Sequence, residues 1–159
     1  MSDSWKAIVA SSLDWDQAHM SLGDVVAALH PTLRNKKPEG LPHSIWDLLE
    51  HIRIAQKDLL DFCTDADYQH DKTWPDDYWP NDTGDISHDK WAESLAEIDR
   101  DTNALKAFTT EEGRDLTAKI PAGTGQTYLR TVLVALDHTS YHTGEIVNVR
   151  RLLGAWPPT

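Results

Sequence analysis

The chain has a single cysteine, Cys63, in 159 residues. It can form no internal disulfide, and nothing in its composition points to an oxidising compartment. It also lacks any apolar run approaching the ~20 residues that a membrane-spanning helix needs. Its first residues, Met1 to Lys6, show neither the basic stretch nor the apolar run of a secretory signal. Basic residues are scarce: 15 Lys and Arg stand against 26 Asp and Glu, a formal net charge of −11. A field of that sign repels phosphate backbones and anionic lipid surfaces, and no local run of Lys or Arg offers an exception. The expectation is a cytoplasmic protein that acts on a small molecule and has neither nucleic acid nor membrane as a partner.

What the chain does contain is ordinary globular material, with 40% hydrophobic and 26% charged residues. Its length is that of one domain, residues 1–159, and a domain of this size buries about 70% of the surface its unfolded chain exposes. Four segments carry helical periodicity, and the connections between them hold nearly all the prolines and glycines. The first is expected from about Asp3 to Leu29, with apolar residues at Trp5, Ile8, Val9, Leu13, Met20, Leu22, Val25, Val26 and Leu29. Pro31, Pro38, Gly40 and Pro42 then break the pattern. The second, about Ile45 to Cys63, has the clearest stripe, and Ser44 with Asp47 three residues on reads as an N-cap with an imperfect capping box. The third spans about Asp89 to Phe108 and the fourth about Thr127 to Leu153, ending before Gly154. Between the second and third lies a long polar connection from Asp65 to about His88, and residues 116–120 read as extended for a few positions. Four amphipathic helices with no sustained strand pattern predict an all-α four-helix bundle with long inter-helix loops.

The chemistry is concentrated in the histidines, of which there are 8. His138 and His142 stand four residues apart on the last predicted helix, so their side chains share a face about one turn apart and can bind one ion. On spacing alone, a hydrogen-bonded pair in a helix seam is equally admissible. His51 lies on or beside the buried stripe of the second helix, where an unpaired polar group is costly. If the second and fourth helices are neighbours, His51 completes a facial set of three imidazoles. Such a set leaves coordination positions open and suits zinc, nickel or iron(II) better than magnesium or calcium. A metalloprotease is excluded, because the His-Glu-x-x-His motif needs a glutamate where this chain has Thr139.

Two stretches then carry a resemblance: Ser44 to Ile52, with Trp46 and His51, and Leu136 to Ile146, with His138, Tyr141, His142, Gly144 and Glu145, followed by Arg150, Arg151, Gly154, Trp156 and Pro157. Together they resemble the DinB-like superfamily of metal-dependent enzymes across nearly the whole chain in helix order and spacing. The resemblance implies a four-helix bundle, often a homodimer, with a divalent metal held by His51, His138 and His142. Some members of that superfamily are transferases or isomerases that use low-molecular-weight thiols such as bacillithiol or mycothiol, and many have no assigned activity. Glu145 departs from the pattern, which usually has Gln there. A carboxylate at that position can hydrogen-bond a ligand histidine or a bound water, and it adds negative charge that disfavours an anionic substrate.

The functional expectation is a three-histidine centre that activates a small thiol for transfer or isomerisation, since a nearby cation stabilises the reactive thiolate. A hydrolase using metal-bound water is the alternative, with Glu145 or Asp137 as its candidate base. A metal-binding or structural dimer without activity is the third reading. Other residues have plainer expectations. Cys63 reads as a small buried hydrophobe, Asp137 as facing another side of its helix, and Tyr141 as packing with its hydroxyl at an edge. Gly144 suggests close helix approach. His19, His30, His43, His70 and His88 read as surface residues, and Arg150 and Arg151 as complements to a helix dipole. Trp74 and Trp79 either wall a cleft or cap the bundle end, with capping favoured.

Overall fold

The computed structural model describes residues 4–158. Five α-helices are present among them: α1 (Ser4–Ser12), α2 (Leu22–Val26), α3 (Ile45–Thr64), α4 (His88–Thr110) and α5 (Tyr128–Leu152). Short 3-10 turns occur at Pro31–Leu33 and Asp76–Tyr78. No strand occurs among the described residues, and an isolated bridge between Lys119 and Thr127 accounts for the extended stretch expected near 116–120. The all-α expectation holds. Among the described residues, no helix is long and apolar enough to cross a membrane.

The first expected helix is not continuous, and Asp3, its expected start, lies outside the described residues. Residues 13–21 leave the helical path, and Ser21 then caps a new helix by accepting from the Asp24 N–H. The cause is local at the restart: the Ser21 hydroxyl accepts from the backbone three residues on, which favours a new helix start over a continued helix. The apolar recurrence that suggested one long helix is also partly superficial, because Trp5, Ile8 and Met20 are exposed.

The other three helices follow their sequence signals within a residue or two. The Ser44–Asp47 box is complete: the Asp47 N–H donates to Ser44 Oγ at 3.0 Å, and the Ser44 N–H donates to Asp47 Oδ2 at 2.9 Å. Ser87 caps α4 and Thr127 caps α5 through their side-chain oxygens. Beyond α5, Gly154 takes a left-handed conformation (φ +69°), which glycine adopts without steric cost.

Helix α3 is the central element and packs against both α4 and α5. All eight residues from Ile45 to Ile52 are buried, so this stretch is covered on every side rather than on one stripe. Its polar members are partnered. Trp46 Nε1 donates to Asp82, Asp47 pairs with Lys37, and Glu50 pairs with Arg53, which also reaches Glu97 on α4. One core cluster joins Trp46, Leu49 and Ile52 to Ile98, Ile146 and Val149. A second joins Leu13, Leu60, Leu105 and Val132, so the segment after α1 meets α3, α4 and α5 in one apolar interior.

Arg150 does more than complement a helix end. It is fully buried and donates to the carbonyls of Val25, Ala27 and Ala155, tying the α2 segment and the C-terminal turn to α5. Arg151 instead lies over the Trp156 ring.

Candidate metal centre

The packing of α3 against α5 brings His51 beside His138 and His142. One ring nitrogen from each of the three lies within 4.8 Å of the others, and His51 and His142 are buried. The Nε2 atoms of His51 and His138 are 3.0 Å apart. That separation is comparable with the edge of a coordination shell built on metal–nitrogen bonds of ~2.0–2.1 Å.

Outer partners orient two of these rings. His51 Nδ1 is 2.7 Å from the Tyr78 carbonyl oxygen. A carbonyl can only accept, so His51 carries its proton on Nδ1 and keeps the Nε2 lone pair free. His142 Nδ1 is 2.6 Å from Glu145 Oε2, which places the His142 Nε2 lone pair toward the cluster in the same way. The nearest neighbour of His51 Nε2 across the cluster is His138 Nε2, the contact that a shared ion would replace.

Electrostatics keep the cluster neutral. Burial is the first cause that lowers the pKa of all three. His138 and His142 are pushed down to about 4, with repulsion from neighbouring imidazoles adding to burial. His51 is lowered by burial and partly raised again by its bond to the Tyr78 carbonyl. Near neutral pH the donor set is three uncharged imidazoles with two lone pairs already aimed, which fits a divalent ion.

The connection between α3 and α4 closes over this site. The Trp79 indole stacks on His51 at a centroid distance of 4.0 Å and 3° between planes, and its other neighbour is the His43 ring at 3.8 Å and 5°. Trp79 therefore belongs to the site. The capping expectation does not describe it, and Trp74, mostly exposed against Tyr78, parts company with it. His43, expected at the surface, is half-buried in this stack. Sequence reasoning had no means to find the Tyr78 carbonyl, because a backbone acceptor carries no residue signature; the Tyr78–Trp79 pair within a long connection was the available signal.

Other candidates fall where their chemistry places them. Cys63 is buried and its thiol is pushed up to about 12 by burial, so it is an inert core residue. Asp137 is exposed. Tyr141 is exposed rather than packed, and its ring stands T-shaped to His142. A Cβ at Gly144 would meet nothing within 4 Å, so close helix approach does not account for this glycine.

Two cavities involve the same helices, and none of the three histidines lines either of them. A small one of about 90 Å³ is lined by His43, Leu48, Glu145, Asn148 and Val149. The larger, about 610 Å³, lies farther along α3 and α5 between Asp58, Phe62, Tyr68, His70, Gln126 and Arg130.

Neither a curated protein nor a solved structure shows significant similarity to the chain. The DinB superfamily family model does match, over residues 14–146, a span that contains all three clustered histidines and most of the helical core. The chain belongs to the DinB superfamily.

Proposed function

We propose that this chain is a divalent-metal enzyme whose three-histidine centre activates a small thiol for transfer or isomerisation. The observation that carries the reading is the convergence of His51, His138 and His142 with the Nε2 lone pairs of His51 and His142 kept free by outer acceptors. His51, His138 and His142 would hold the ion, which would supply stabilisation of a substrate thiolate near neutral pH. Three protein donors leave further coordination positions open, as catalytic sites require.

The chain's own groups then supply orientation and exclusion of water. Glu145 holds the His142 ring, and the Tyr78 carbonyl holds His51. Trp79 and His43 cover one side of the cluster with aromatic surface. The hydrolase alternative is the weaker, because of its two candidate bases Glu145 is already engaged by His142 and Asp137 is exposed. The acidic balance of the chain favours a neutral or cationic electrophile as the second substrate.

Elemental mass spectrometry of the purified, untagged protein tests the metal reading. Close to one equivalent of zinc, nickel or iron in the wild type is expected, with loss in both His51→Ala and His138→Ala. Thiol-transfer assays with the loaded protein follow. Absence of metal after reconstitution with zinc and nickel would leave a helical protein whose histidines are structural.

A further inference from the structure

Asp58 lies seven residues after His51 on α3, roughly 10 Å along the helix at 1.5 Å per residue. Its side chain is too far away to touch the cluster, yet it gathers the connection that does. Asp58 Oδ2 accepts from the Tyr78 hydroxyl at 2.6 Å, and Oδ1 accepts from the Tyr68 hydroxyl at 3.0 Å and from Lys72 at 3.4 Å. Tyr78 is buried, and its two ends face two places: the hydroxyl meets Asp58, and the backbone carbonyl meets His51 Nδ1 at 2.7 Å. The next residue, Trp79, lies flat on the His51 ring.

We propose that Asp58 and Tyr78 are positioning residues for the metal centre: the carboxylate fixes Tyr78, and Tyr78 fixes the tautomer and orientation of His51. This rests on the metal reading above. A carboxylate that accepts two hydroxyl protons is a strong, directional anchor when it is largely buried. Burial and the adjacent Asp58 both raise the pKa of the Tyr78 hydroxyl, so it remains a donor. The carbonyl it places is the only protein acceptor found for His51 Nδ1 among the described residues. Without that acceptor, the proton is free to move to Nε2, and the lone pair that a metal needs is lost. Tyr68 is the internal control, because it shares the Asp58 anchor but makes no contact with His51.

The test uses the full chain and two readouts. Zinc affinity is measured by competition with a chromophoric chelator, and the His51 tautomer by long-range proton–nitrogen NMR of the metal-free, histidine-labelled protein. Tyr78→Phe removes only a hydroxyl, and Asp58→Asn keeps the size of the side chain. Each should weaken zinc binding by about tenfold, the low end of the usual effect of losing an outer partner of a ligand histidine, because the carbonyl stays in the chain but loses its anchor. Each should also shift His51 from the Nδ1–H form toward a mixture. Tyr68→Phe should leave the tautomer unchanged and the affinity within about threefold, the loss of one hydrogen bond remote from the ligand. Should one variant fail to fold by circular dichroism, the other carries the comparison. The proposal is overturned if the folded variants retain both zinc affinity and the Nδ1–H form, or if Tyr68→Phe loses as much as Tyr78→Phe. A wild type that takes up no zinc would sink the metal reading, and the tautomer comparison would then decide this proposal alone.

Discussion

At the scale of single residues, the centre depends on which nitrogen of each ring carries a proton. His51 and His142 each have Nδ1 tied to an acceptor, one a backbone carbonyl and the other the Glu145 carboxylate. The carboxylate also raises the basicity of its imidazole, which strengthens a metal bond. Glu145 therefore acts on the centre through His142. Glu145→Ala should lower zinc affinity by about tenfold or more, as removal of outer-shell carboxylates typically does. Glu145→Gln keeps an acceptor and should fall between that variant and the wild type. Chelator competition with the purified variants reads both. Full affinity in Glu145→Ala would free the carboxylate for a different role.

At the scale of elements, α3 sets the geometry, because it carries His51 and packs on both α4 and α5. Its start is defined by the reciprocal Ser44 and Asp47 bonds, and His51 lies two turns beyond that cap. Ser44→Ala should destabilise the protein by about 0.5–2 kcal/mol, the usual range for losing an N-cap side chain. Ser44 is fully buried and also donates to Asn35, so the upper half of that range is expected. A shift in the denaturation midpoint at constant slope checks it. The sequence was informative here. The stripe and cap of α3, and the ends of α4 and α5, were readable because capping chemistry and apolar period agree in those segments. They disagreed around α2. There the apolar spacing continued while Ser21 opened a separate helix, and local side-chain bonding prevailed over periodicity.

At the scale of the whole molecule, the clustered imidazoles make stability depend on pH. His138 and His142 are held near a pKa of about 4 in the folded protein, against an ordinary histidine value of about 6.5 when unfolded. Between those values the unfolded chain binds more protons than the folded one, so stability rises with pH across that window. The metal-free protein should thus lose stability as pH falls from about 6.5 toward 4, beyond the contribution of its carboxylates. Denaturant midpoints across that range, compared with a His138→Ala/His142→Ala variant, isolate the effect: the variant should show the shallower dependence. A bound divalent ion should oppose the loss, because it binds the folded form and competes with protons for the same nitrogens.

The sequence by itself determined the helical class, the Ser44 cap and the Gly154 stop, the acidic balance and the three histidines, because helix period, cap chemistry and i, i+4 spacing are local rules that act within one segment. It also carried enough of the family pattern to place the chain. Only the tertiary structure decided that α3 and α5 bring His51 within reach of His138 and His142. The same holds for the connection that places Trp79 between His43 and His51, and for the Tyr78 carbonyl on His51. Those contacts join residues far apart in the chain through ring faces and a backbone oxygen. Neither leaves a periodic or compositional trace, so packing alone could assign them.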